Sequence, residues 1–380
     1  MKRTTLLTAG IVMATLLSAH AAVADVKIGA VVSSTGPASF LGEPQRQALE
    51  LYVKKINESG GVNGEKIQLI IYDDGSDANA SRTFATRLIE EDKVDAVLGG
   101  SGTGNSLAMI PVFEDAQTPY VSFSGGVEII NPVRKWVFKP PHTDLMACEK
   151  IFTDMKRKNI TKIALISGQG GFAKSMAKQC KEISSKYGIT VAADESYGPR
   201  DSDVSPQLNR IKAIDGLQAV VNPDIGQGPA VVTRNFRQLG LSVPLYLSHA
   251  AATSGYLQAV GPSGEGILIP GPSLLIAHKL PDSDKQKPIL MSFKTSFEAA
   301  TGKQVDTFAG YAHDCFLLLV DAMKRAGGKN KAKVRDALEA TKGFMGTVGE
   351  INMSPTDHLG IGLDSFRMLT VKNGNWELAE

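Results

Sequence analysis

The chain has 380 residues, 43% apolar and 21% charged, with a formal net charge of +2. That length suits about two domains. A near-neutral charge balance argues against nucleic acid or an anionic membrane as partner, and three cysteines are too few for a disulfide scaffold.

Residues 1–24 read as an export leader that is not part of the fold. Lys2 and Arg3 form a basic start, residues 6–17 an apolar run, and Ala22-Val23-Ala24 a small-residue cleavage site before Asp25. Ala19-His20-Ala21 is a competing cut. The apolar run is short for a membrane span, and no later run approaches one. No lipobox cysteine lies near the cut, so the expectation is a free, monomeric periplasmic protein. Removing Lys2 and Arg3 from the 41 basic residues leaves 39, equal to the 39 acidic ones. Cys148 and Cys180 fall on two helices flanking one strand; whether they pair stays open. Cys315 lies in an apolar helix and reads as a buried small hydrophobe.

From Asp25 strands and helices alternate. The spacing predicts strands at 26–32, 66–72, 95–98 and 119–123, with helices at 43–57 and 78–91. The prolines of 137–141 make an extended crossing, and Asp144 is placed to cap a helix at 145–157. A second series follows, with strands at 163–166, 190–195, 219–222 and 245–247 and helices at 172–187, 204–213 and 229–239. Residues 266–270 are again extended. Helices return at 287–301, 307–326 and 331–341. The end is a hairpin, with strands at 365–372 and 375–379 around Asn373-Gly374. The two series look like a structural duplication without a readable sequence repeat.

The stretch 97–126 organises the chain. Its two loops leave the carboxyl ends of neighbouring strands, where open α/β sheets bind ligands. The first offers Ser101, Thr103, Asn105 and Ser106; the second offers Ser122, Ser124 and the bare amides of Gly125 and Gly126. Hydroxyls and free N–H groups in that setting suit a small anion, above all a carboxylate. Two later strand ends face the same cleft: the loop 222–228 with Asp224, and Ser248-His249-Ala250-Ala251.

Gly168-Gln169-Gly170-Gly171-Phe172-Ala173 follows a strand and opens a helix, which fits G-x-G-x-x-A, and Asp194-Glu195 stands near the place of a ribose-binding acid. An exported dinucleotide enzyme is thus a remote alternative. The blander reading is a tight turn that aims Phe172 into a cleft. No Gly-x-Ser-x-Gly elbow precedes a helix. His313 and Asp314 adjoin on a helix, where neighbours do not face each other, so solvated or capping roles are expected. Asp73-Asp74 lacks further oxygen ligands at regular spacing, which favours a structural role over a metal. No cofactor is expected.

Ser34-Thr35-Gly36-Pro37, Leu41-Gly42, the run from Lys55-Ile56-Asn57 to Gly60-Gly61-Val62-Asn63-Gly64, and Asp73-Asp74 with Asp77 resemble the opening of branched-chain amino-acid-type periplasmic binding proteins. These are the solute receptors of ABC importers. Phe138, the segment 310–314 and the closing Gly349 with Asn373-Gly374 extend the likeness over the mature chain. The resemblance implies an α/β fold of two Rossmann-like lobes, type I, joined by three crossings near 139–143, 268–272 and 348–353. The first lobe would hold 25–142 with 272–349, the second 143–271 with 350–380. The partners implied are a small solute and the permease subunits of the inner membrane, and the implied activity is binding without catalysis. Carried over by position, Thr103, Ser124 and Gly126 hold the solute's carboxylate, while Phe40, Leu41 and Phe172 cover its body. The family's acid for an α-ammonium falls near His249 and is absent here. The segments 226–229, 245–249 and 353–358 look like a branch that takes aromatic and other apolar carboxylates. The resulting expectation is an apolar or aromatic carboxylate, with a branched-chain or other amino acid as the alternative and Asp224 as its ammonium partner.

Overall fold

The computed structural model describes residues 25–379; the expected leader lies outside the described residues. Short buried apolar runs build a first, five-stranded parallel sheet: β1 (Val26–Val32), β2 (Ile67–Asp73), β3 (Ala96–Gly99), β4 (Tyr120–Ser122) and β5 (Val137–Phe138). Parallel neighbours need crossovers. Helices α1 (Ser39–Glu58), α2 (Ala78–Glu90) and α3 (Thr103–Asp115) provide three of them, and a loop with a short 3-10 turn at Val127–Ile129 joins β4 to β5. The spatial order is β2-β1-β3-β4-β5.

The chain then crosses through 139–143 into α4 (Asp144–Arg157) and repeats the pattern with β6 (Lys162–Ser167), α5 (Gly171–Ser184), β7 (Thr190–Ser196), α6 (Ser205–Lys212), β8 (Ala219–Asn222), α7 (Gly228–Gln238), β9 (Leu245–Leu247), α8 (Ser254–Val260) and β10 (Leu268–Pro272). It returns to the first lobe for α9 (Lys287–Thr301), α10 (Thr307–Arg325) and α11 (Lys331–Glu339), where α10 packs along α1. A small hairpin, β11 (Phe344–Gly346) and β12 (Gly349–Ile351), precedes the last two strands, β13 (Phe366–Lys372) and β14 (Asn375–Leu378). These add antiparallel to the edge of the second sheet, giving β14-β13-β10-β9-β8-β6-β7. In each sheet the parallel strands run second-first-third-fourth-fifth, so the duplication is one of topology. The order reverses beside β1 in one lobe and beside β6 in the other, and the cleft opens at those switch points.

Several local expectations change. Helix α1 begins at Ser39, not 43, and Pro44 sits inside it. Phe40 and Leu41 are therefore first-turn helix residues. Thr143, not Asp144, caps α4: its Oγ1 accepts from Met146 N at 3.0 Å. Asp144 is buried and accepts from Val127 N at 2.9 Å and from the Ser175 hydroxyl, tying α4 to the second small-residue loop. His313 and Asp314 are buried, not solvated; their side chains meet at 2.8 Å, and Asp314 holds the amides of Thr347 and Val348, each at 2.8 Å. The sequence reading puts 350–380 in the second lobe. In the structure Met353 N donates to Thr341 O, Lys139 N donates to His358 O, and the His358 ring stacks on Phe138 at 4.2 Å. The stretch before β13 thus packs on the first lobe, because its partners are a buried ring and the backbone of the first crossing. Cys148 and Cys180 form a disulfide between α4 and α5, and Cys315 is free and buried.

Candidate functional site

A cavity of about 420 Å³ lies between the lobes, a size that suits a small solute. Its first-lobe wall is built by the amino end of α3 and the loop after β4. Thr103 opens α3, with Gly102 as the cap residue. Its hydroxyl stands 3.0 Å from that of Ser124, and both are buried. A helix amino end carries free N–H groups and a partial positive charge, so this wall favours an anion. Behind it several polar groups bond within the protein, while Ser33 Oγ and Gln45 Nε2 are buried with no hydrogen-bond partner among the described residues. Ser101 Oγ accepts from Ser33 N at 2.9 Å and donates to Gln45 at 2.6 Å. Asp74 takes bonds from Asn105 at 2.9 Å and Ser81 at 2.7 Å, the structural role expected of it. Ser106 and Ser122 bond each other at 2.8 Å.

The second-lobe wall differs. Helix α5 aims its own amino end at the cleft, and its first residue comes close to α3: a Cβ on Gly171 would stand 3.5 Å from Gly104 N. Phe172 follows and meets the His249 ring edge-on at 5.5 Å. A Cβ on Gly125 would press on both, 2.9 Å from Phe172 and 3.2 Å from His249 Nε2. Asp224, at the end of β8, is buried and receives the Tyr197 hydroxyl. Gly168 and Gly228 leave the room it occupies, since a Cβ at either would overlap its carboxylate. Burial pushes the Asp224 carboxyl up, and the Tyr197 hydrogen bond partly offsets that. Among the described residues no lysine or arginine lines the cavity. His249 has a fully buried Nδ1 with no hydrogen-bond partner among the described residues. Burial first, and the charge of buried Lys139 second, hold its imidazole down to about 3.

Of the expected site residues, Phe40, Leu41, Ser101, Thr103, Ser124, Gly125, Phe172, Asp224 and His249 line this one cavity. Gly126 and Ser248 do not. Gly126 packs against the Thr103 side chain, and the Ser248 hydroxyl turns back onto the Asp224 carbonyl. Asp194 and Glu195, weighed as ribose ligands, instead pair with Lys181 at 2.6 Å and Arg210 at 2.7 Å outside the cavity lining. Sequence reasoning missed Tyr197, Phe308 and Tyr311, which also line the cavity. Tyr197 stands just past β7, so the strand-end rule applied to that strand finds it. Phe308 and Tyr311 sit in an apolar helix that carries no such signal.

Two α/β lobes with a solute-sized cavity at their paired switch points define a two-lobed solute-binding protein. The family model for periplasmic binding proteins matches residues 25–375, and the chain belongs to that family. A curated relative, Leu/Ile/Val-binding protein homolog 3 of Brucella melitensis, is 24% identical, with 91% of this chain and 92% of the relative covered. The leucine-, isoleucine-, valine-, threonine- and alanine-binding protein of Pseudomonas aeruginosa is 24% identical over 89% of this chain and 88% of its own length. Among solved structures, an extracellular ligand-binding receptor from Rhodopseudomonas palustris superposes with a TM-score of 0.87 at 25% identity, over 94% of this chain and 100% of the other. The isoleucine complex of LivJ from Streptococcus pneumoniae gives 0.82 at 23% identity, over 94% and 99%, a likeness of fold.

Proposed function

We propose that this protein is the extracytoplasmic solute receptor of an ABC importer, and that its cleft takes an α-amino acid with an apolar side chain. The observation that carries the ligand class is Asp224: a buried acid on the cavity wall, with no lysine or arginine lining the cavity among the described residues. An ammonium supplies the missing countercharge. The solute's carboxylate lies on Thr103, Ser124 and the amide at Gly125, beside the amino ends of α3 and α5. Its side chain lies among Phe40, Leu41 and Phe172. The branched-chain specificities in the names of the curated relatives support this reading. Family membership supports binding without catalysis, and a leader at 1–24 with permease subunits as partners completes the proposal.

A second reading keeps the carboxylate cradle but places an aromatic monocarboxylate in it. One observation favours it: a neutral His249 stands where an ammonium-binding acid is expected, edge-on to Phe172. A thermal-shift screen separates the two. Leucine, isoleucine or valine at 100 times its dissociation constant adds about 2.7 kcal/mol of stability, readily seen as a raised Tm. Stabilisation by aromatic acids and by no amino acid overturns the first reading in favour of the second.

A further inference from the structure

A second cavity lies wholly within the first lobe, walled by α1, α9, α10 and β11, with a volume of about 520 Å³. Its wall carries the rings of Tyr52, Phe293, His313 and Phe344 among aliphatic side chains. The His313 side chain is only 5% exposed. One of its nitrogens is committed, since Nδ1 meets Asp314 Oδ1 at 2.8 Å. Asp314 is itself fixed by three further bonds, from Thr347 N, Thr347 Oγ1 and Val348 N, at 2.8, 2.9 and 2.8 Å. The imidazole cannot turn without breaking that set. Tyr52 packs edge-on to it at 4.4 Å and Phe293 lies at 4.3 Å, which locks the ring from two sides. Its Nε2 has no hydrogen bond to the protein among the described residues.

We propose that this first-lobe cavity is a second ligand site, separate from the cleft, for a small neutral aromatic alcohol of the phenol class. With Nδ1 committed to Asp314, Nε2 is the nitrogen left to accept one hydroxyl hydrogen. The surrounding rings and the side chains of Ile56, Ile289 and Leu317 suit a flat apolar body. Asp321 and Lys324 both stand at the wall, and their opposite charges suit a solute without net charge. Burial pushes the Tyr52 hydroxyl up to about 12, so that side chain stays neutral.

The test uses phenol itself and methionine methyl NMR. Met345 lines this cavity and, among the described residues, no methionine lines the cleft, so the Met345 methyl, assigned by Met345→Leu, reports on this site alone. Phenol is expected to shift that resonance saturably. Ile289→Trp, which fills the cavity, is expected to abolish the shift; Ser292→Trp, at an exposed position on its wall, plugs it without burying the new ring in the core. His313→Phe is expected to weaken phenol about tenfold, the effect of losing one hydrogen bond. No saturable shift in the wild-type protein overturns the proposal. So does a shift that survives unchanged in either folded tryptophan variant. Undiminished affinity in a folded His313→Phe protein overturns the assignment of the imidazole as the anchor.

Discussion

The two walls of the cleft are made by the same topology and do different work. On the first-lobe wall the hydroxyls of Thr103 and Ser124 lie 3.0 Å apart, sharing one hydrogen and leaving the other to donate, and the groups behind them join side-chain networks through Gln45, Asp74 and Ser122. Such a wall offers neutral donors and reads what every carboxylate shares. On the second-lobe wall, polar groups are left in tension with their burial. Asp224 is an acid without a cation, and His249 is a base held neutral with a nitrogen unpartnered. The difference teaches where specificity resides. A wall of neutral hydroxyls anchors; a wall with a buried acid and an imidazole discriminates, because a solute that completes it gains what a solute lacking the right group forfeits.

The sharpest way to break this contrast is Asp224→Asn. Removing the acid leaves a bound ammonium buried without its countercharge, at a cost of about 3 kcal/mol or roughly a hundredfold in affinity. Calorimetry of leucine, isoleucine and valine reads that loss, while a carboxylate without an amine is expected to bind the variant about as it binds the wild type. Equal weakening of both classes sinks the idea that Asp224 discriminates.

Next in size is a pH effect on the same wall. The His249 imidazole is depressed from 6.5 to about 3 in the folded chain. As pH falls below 6.5 the unfolded chain takes up the proton first, so stability that is fully present above pH 6.5 is lost progressively towards pH 3. At pH 5 the loss from this group is about 2 kcal/mol. Urea unfolding at pH 7 and pH 5 measures it, and His249→Leu is expected to remove that part of the slope. An unchanged slope in the variant shows that other groups carry it.

Much of this was legible in the sequence, for physical reasons. Buried parallel strands are short apolar runs that end in small residues, so 26–32, 219–222 and 245–247 could be placed, and the rule that ligands bind at strand carboxyl ends led to Thr103, Ser124, Asp224 and His249. What stayed hidden depends on packing across the fold. Nothing local says that Ser248 turns back to the Asp224 carbonyl, or that Asp194 and Glu195 spend their charge on Lys181 and Arg210. His313 and Asp314 read as solvated because neighbours on a helix point apart; the loop at 347–348 and the rings of Tyr52 and Phe293 cover them instead. The early start of α1 hid behind Pro44, which ordinarily marks a helix's first turn.

The smallest effect is expected on the anchoring wall. Thr103→Val keeps the shape and removes one hydroxyl, which weakens every carboxylate solute by about tenfold, or about 1.4 kcal/mol. Because that wall does not discriminate, the ratio of affinities between an amino acid and an amine-free acid is expected to stay the same. A changed ratio moves part of the specificity to the first lobe.

The most direct measurement compares leucine with 4-methylpentanoate, which is leucine without its amino group, by titration calorimetry on the wild-type protein. Both offer the same carboxylate to Thr103 and Ser124 and nearly the same apolar body to Phe40, Leu41 and Phe172. They differ in the one group assigned to Asp224. The account predicts that leucine binds tighter by roughly a hundredfold; equal affinities, or a preference for 4-methylpentanoate, would contradict it.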